Sequence, residues 1–107
     1  MTEPLPPLSP LMYEALRRAY VVGRLVRLAG GFWTDPRTAR NATDKAALDR
    51  RAVRPDWFVG LNTCRALETR GLLKRDDSDI GLIEPHWRRP FVPTQRTIDY
   101  FTSRGVS

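Results

Sequence analysis

Asn62, Arg65 and Thr69 recur at intervals of three and four residues within the stretch Val59 to Arg75, which predicts that they share one face of a helix. An amide, a guanidinium and a hydroxyl on one helix face, with the small Ala66 among them, are groups suited to reading base edges in a DNA major groove. Leu61, Cys64 and Leu67 fall on the opposite, apolar face. Gly71 suits the left-handed position that closes a helix, because it has no Cβ to clash there. Leu72, Leu73, Lys74 and Arg75 then read as a strand that turns from apolar to basic. Arg70 at the margin of the helix, Lys74, Arg75 and, further on, Arg88 and Arg89 supply cations where phosphates would fix the register of such a contact.

Other residues with chemical potential lead less far. Asp76, Asp77 and Asp79 invite a calcium loop, but from Asp77 the fifth position is Gly81 and the twelfth is Arg88, so the ligand pattern fails. A solvated acidic turn accounts for them, and as a wing tip it would repel phosphate. His86 is the single histidine, and no residue pattern nominates a nucleophile or an orienting partner for it. The lone Cys64 has no disulfide partner and reads as a small buried hydrophobe. Trp33, Trp57, Trp87, Phe32, Phe58 and Phe91 can stack on single-stranded bases, but in so small a chain they are expected to fill the core. No phosphate-cradling glycine loop, zinc-ligand pair or nucleophile elbow occurs, so neither a catalytic site nor a metal or cofactor is expected.

The run Thr63-Cys64-Arg65-Ala66-Leu67-Glu68-Thr69-Arg70-Gly71-Leu72-Leu73 resembles the recognition helix and first wing strand of bacterial winged helix-turn-helix proteins of the MarR-like regulator type. Those commonly carry a Thr-apolar-x-x-Leu-x-x-x-Gly-Leu pattern there. The resemblance is strong over about fifteen residues and weaker from there to the C-terminus. It implies a short strand after the first helix that pairs with the wing, a place that Phe32 to Thr34 can fill. It also implies a threonine-led helix after the wing, which Thr94 can begin. The usual glycine three residues later is Thr97 here, and the joint before the recognition helix is longer than the ordinary turn.

Elements must position these groups. Ser9-Pro10 is a helix start, serine as N-cap and proline at the first helical position. Apolar residues recur at helical spacing from Leu11 to Ala29, with Gly23 inside the run and Gly30-Gly31 ending it. Asp35-Pro36 turns the chain, and Arg37 to Arg54 is the least legible stretch, with a thin amphipathic helix after Thr43 as one reading and an extended loop as the other. Trp87 to Val92, interrupted by Pro90, reads as the returning wing strand at a sheet edge. After Thr94, Ile98 and Phe101 face inward and Gly105 lies beyond the helix end.

At 107 residues the chain has room for one domain, with residues 1–8 as a flexible proline-rich arm and residues 9–107 as a single winged-helix domain. Eighteen Lys and Arg against twelve Asp and Glu leave a net charge of +6, which favours a polyanion partner. There is no signal-like leader and no apolar run near the ~20 residues of a membrane span, so a cytoplasmic protein is expected. The fold class expected is α+β, mainly helical: a winged helix-turn-helix with a small antiparallel sheet as the wing. The function expected is double-stranded DNA binding by a homodimeric transcriptional regulator, with helix 61–70 in the major groove. Asn62, Arg65 and Thr69 would read bases, and Arg70, Lys74, Arg75, Arg88 and Arg89 would hold phosphates. The alternative is a protein-binding adaptor, phage- or plasmid-borne, on the same fold without DNA binding.

Overall fold

Ser9 opens the first helix as the sequence predicts: its Oγ accepts the Met12 amide at 3.2 Å, with Pro10 in the first turn. The computed structural model describes residues 4–28, 31–40, 55–76 and 89–106. Helix α1 spans Pro10–Val22 and buries Ala15, Leu16 and Ala19. It ends seven residues before Ala29, where apolar spacing alone predicts its end. Gly23 is not interior to the helix. It sits at φ +107° as the left-handed cap, its amide donating to the Ala19 carbonyl at 2.9 Å. Val21 and Val22, β-branched and so weaker helix formers, fill the last positions before it.

The apolar residues past Gly23 belong to strands. Leu25 forms a bridge with Phe91, and β1 (Val26–Leu28) pairs antiparallel with β2 (Phe32–Thr34), with Gly31 in the turn between them. Phe32 to Thr34 is therefore a strand as expected, but its partner is β1, not the strand after α3. Leu25 makes that contact instead, exchanging two hydrogen bonds with Phe91 at 2.8 and 3.0 Å. On its other side Trp33 exchanges two hydrogen bonds with Val59, at 2.9 and 2.8 Å.

Asp35 and Pro36 start a helix, not only a turn. Residues 36–40 are helical and are numbered α2. Asp35 Oδ1 accepts the Thr38 amide at 2.8 Å, the N-cap bond that a carboxylate before proline is placed to make. The helix expected after Thr43 lies outside the described residues.

Helix α3 spans Leu61–Thr69 and closes at Gly71, at φ +74°. Strand β3 (Leu73–Arg75) pairs antiparallel with β4 (Phe91–Pro93), and α4 (Gln95–Ser103) follows. The Asp76 amide donates to the Pro90 carbonyl at 2.8 Å, extending the pair by one bond. The protein is thus an α+β fold with four helices and two small antiparallel sheets among the described residues.

One core joins these elements: Ala15, Leu16, Ala19, Leu25, Trp33, Val59, Cys64, Leu67, Leu72, Leu73, Phe91 and Phe101. Burial of Phe91, Trp33 and Phe101, rings that can each cover 150–250 Å², supplies much of the apolar area that holds so small a domain together. Leu5 and Leu8 pack against this core, and Pro4 accepts a hydrogen bond from Arg96 at 3.1 Å. Two leucines of the proline-rich stretch 4–8 thus contact the domain.

Candidate nucleic-acid interface

Helix α3 is fixed from behind and below. Cys64 and Leu67 are fully buried against the core, and burial pushes the Cys64 thiol up to about 12, so at neutral pH it is an inert core thiol. The corner after α3 is tied to α4 by hydroxyls. Thr94 Oγ1 donates to the Gly71 carbonyl at 2.7 Å, and the buried Thr97 Oγ1 donates to the Leu72 carbonyl at 2.7 Å. Thr94 stands at the N-cap position, but its side chain makes no capping bond within α4. Thr97, which stands where the family usually has a glycine, adds a second bond to the Leu72 carbonyl, which also accepts the Thr94 amide at 3.1 Å.

The outer face of α3 carries Asn62, Arg65 and Thr69, all exposed, with Ala66 half-buried beside them. The structure thus brings the three expected base readers together. Leu61 departs from its expected inward place: at the first helical position it is 38 % exposed. Glu68, which sequence reasoning did not weigh, is exposed on the same helix and sets a negative charge three residues from Arg65.

The expected phosphate contacts divide. Lys74 is exposed on β3. Arg70 is exposed, and its Nη1 folds back to the Ala66 carbonyl at 2.9 Å. Arg75 is packed inward: its guanidinium lies 4.0 Å from the Phe91 ring centroid and 5.2 Å from that of Trp33, and donates to the Arg89 carbonyl at 2.8 Å. Burial lowers its pKa from the ordinary value, as desolvation must for a cation. Arg75, half-buried, thus ties β3 to β4 through the Arg89 carbonyl and the Phe91 ring. Arg89 is half-buried, and Arg88 and His86 lie outside the described residues.

Charged groups on α1 form a second assembly, of which helical spacing predicts only the Glu14–Arg18 pair one turn apart. Glu14 accepts from Arg17 Nε at 2.7 Å and from Arg18 Nε at 2.8 Å. Arg18 also reaches Asp35 at 2.9 Å and stacks 4.4 Å over Trp57. Hydrogen bonding from Arg17, against an opposing contribution from burial and with help from Arg18, holds the Glu14 carboxyl below its usual range. Beyond this network, Arg24, Arg37 and Arg40 line one cleft with Val22, Gly23 and Pro36. The only hint of that cleft in the sequence is arginine density around Pro36.

Among the described residues no group of three or more His, Cys, Asp or Glu side chains is placed to hold a metal ion. No helix among them is long and apolar enough to cross a membrane. In comparisons with known proteins, no family model, curated protein or solved structure matches the chain.

Proposed function

We propose that the protein binds double-stranded DNA as a transcriptional regulator on a winged helix-turn-helix plan, with α3 in the major groove. The observation that carries this reading is the two-sidedness of α3. Asn62, Arg65 and Thr69 stand exposed together, while Cys64 and Leu67 on the opposite side are fully buried. The short sheet β3–β4 that follows, with Leu25 bridging to Phe91 as a third strand contact, supports the wing. In this reading Asn62, Arg65 and Thr69 meet base edges, and Arg70, Lys74, Arg88 and Arg89 hold phosphates. Arg75 keeps β3 and β4 in place for them.

Fluorescence anisotropy of a labelled duplex, run from low to moderate salt, tests this directly. Four neutralised phosphates per protomer give a log–log salt slope of about −3.6. On a selected site Arg65→Ala is expected to cost about 1–3 kcal/mol, and little on random duplex. Equal losses on both would make Arg65 a phosphate contact.

The exposed Leu61 and the charge of Glu68 on α3 favour a second reading, in which the same face docks a protein partner. Absence of duplex binding at low salt selects that adaptor reading. Homodimerisation belongs to the DNA proposal, because one nine-residue helix spans few base pairs. Leu11 and Tyr13, 48 % and 38 % exposed on α1, are the apolar groups available to pair. Sedimentation at tens of micromolar is expected to give a dimer; a monomer alone removes this part of the proposal.

A further inference from the structure

We propose that the cleft between the end of α1 and the start of α2 is a phosphate-binding site, in which Arg24, Arg37 and Arg40 grip a phosphoryl group. The cleft measures about 540 Å³ and is lined by Val22, Gly23, Arg24, Pro36, Arg37 and Arg40. That is room for a nucleotide-sized anion or a short run of sugar–phosphate backbone. All three arginines are exposed, and none of their guanidinium groups is ion-paired or hydrogen-bonded to a described residue.

The nearby carboxylates are already committed. Asp35 is 2 % exposed and bonded to Arg18 and Thr38, while Glu14 is held by Arg17 and Arg18. Neither Asp35 nor Glu14 is therefore left to neutralise the cleft. Three like charges around one cavity repel one another, and an anion between them reverses the sign of that energy. Guanidinium forks match pairs of phosphate oxygens, and their charge persists at any physiological pH. The wall at Gly23 is open: apart from its chain neighbours, no described residue comes within 4 Å of where a Cβ would stand, so the anion has an approach.

The phosphoryl group has two possible sources, a free phosphorylated small molecule or a nucleic-acid backbone, and this site does not depend on α3 reading DNA. The test compares the full chain with its Arg37→Gln/Arg40→Gln variant in two titrations. One is calorimetry with pyrophosphate at low salt, and the other is anisotropy of a labelled duplex across salt. Both substituted side chains are exposed, so the variant is expected to melt within about 3 °C of the parent. Its pyrophosphate affinity is expected to fall at least tenfold. If the source is the nucleic-acid backbone, the duplex salt slope also becomes shallower by about 1.8, two contacts' worth. A loss confined to pyrophosphate assigns the site to a free phosphorylated ligand. Unchanged affinity in both titrations, or a parent chain that binds neither probe, overturns the site. Arg65→Ala separates it from the α3 reading, since that change is expected to impair duplex binding and leave pyrophosphate binding intact. A parent that binds pyrophosphate through these arginines but no duplex sinks the α3 reading and keeps the cleft.

Discussion

Replacing Phe91 with alanine is expected to lower the unfolding free energy by about 3–5 kcal/mol, the usual cost of emptying a buried aromatic site. Phe91 is fully buried and meets Trp33 edge-on, with ring centroids 5.0 Å apart. Its backbone takes the Leu25 bridge, and its ring carries the Arg75 guanidinium at 4.0 Å. Truncation leaves a cavity among Leu25, Trp33 and Arg75, and it removes the aromatic face that offsets the cost of packing a cation inward. Domains of this size are held by about 5–15 kcal/mol in all, so the variant should unfold at much lower urea than the parent. Phe91→Leu separates the two causes: it keeps most of the apolar volume but offers no aromatic face to Arg75, so its loss is expected to be smaller but measurable. A loss under about 1 kcal/mol for Phe91→Ala would show that the sheet is not anchored through this ring.

Local signals in the sequence were legible where the backbone has few alternatives. Ser9-Pro10, Gly71 and Gly105 mark helix ends by side-chain capping or by left-handed φ, and each does so here. The two faces of α3 followed from spacing, because burial of Cys64 and Leu67 fixes the rotation of the helix and so exposes Asn62, Arg65 and Thr69. Leu61 escaped that logic, since the first residue of a helix has no preceding turn to pack beside it.

Spacing misled where two periods coincide. Leu25, Val26 and Ala29 continue the helical recurrence of α1, yet Leu25, Val26, Arg27 and Leu28 also fit a partly exposed strand, and Gly23 decides between them. Spacing yields the Glu14–Arg18 pair, one turn apart on α1, but not the further roles of Arg18, Asp35 and Arg75. Each depends on a partner far along the chain: Asp35 is 17 residues from Arg18, and Arg75 lies over rings at Trp33 and Phe91. Arg75 stacks on those rings because a guanidinium can stack as well as pair, a contact that its place in the sequence does not announce.

The same long-range wiring makes Arg18 the other position where a single change should be severe. Asp35 is 2 % exposed, and burial by itself would push its carboxyl up. The Thr38 amide and hydroxyl together with the Arg18 guanidinium outweigh that and hold it below the ordinary aspartate range. Arg18→Ala leaves the buried carboxylate without its cation and frees the stacked face of Trp57. The expected loss is about 3 kcal/mol, the low end for a broken buried pair, because Thr38 still donates two hydrogen bonds. Arg18→Lys keeps the charge but lacks the fork that bonds Glu14 and Asp35 together, so it is expected to recover only part of the loss. The pH dependence distinguishes this from lost packing. A carboxyl lowered in the folded state contributes its full stability above the unfolded value of about 3.9, and that contribution disappears as pH falls through the folded value. In Arg18→Ala burial is left less opposed, the carboxyl rises, and protonation relieves the buried charge. Urea unfolding of parent and variant should therefore show a wide gap at pH 7 that closes steadily below about pH 4. A gap of constant size across that range would assign the loss to the Trp57 stack and not to the ion pair.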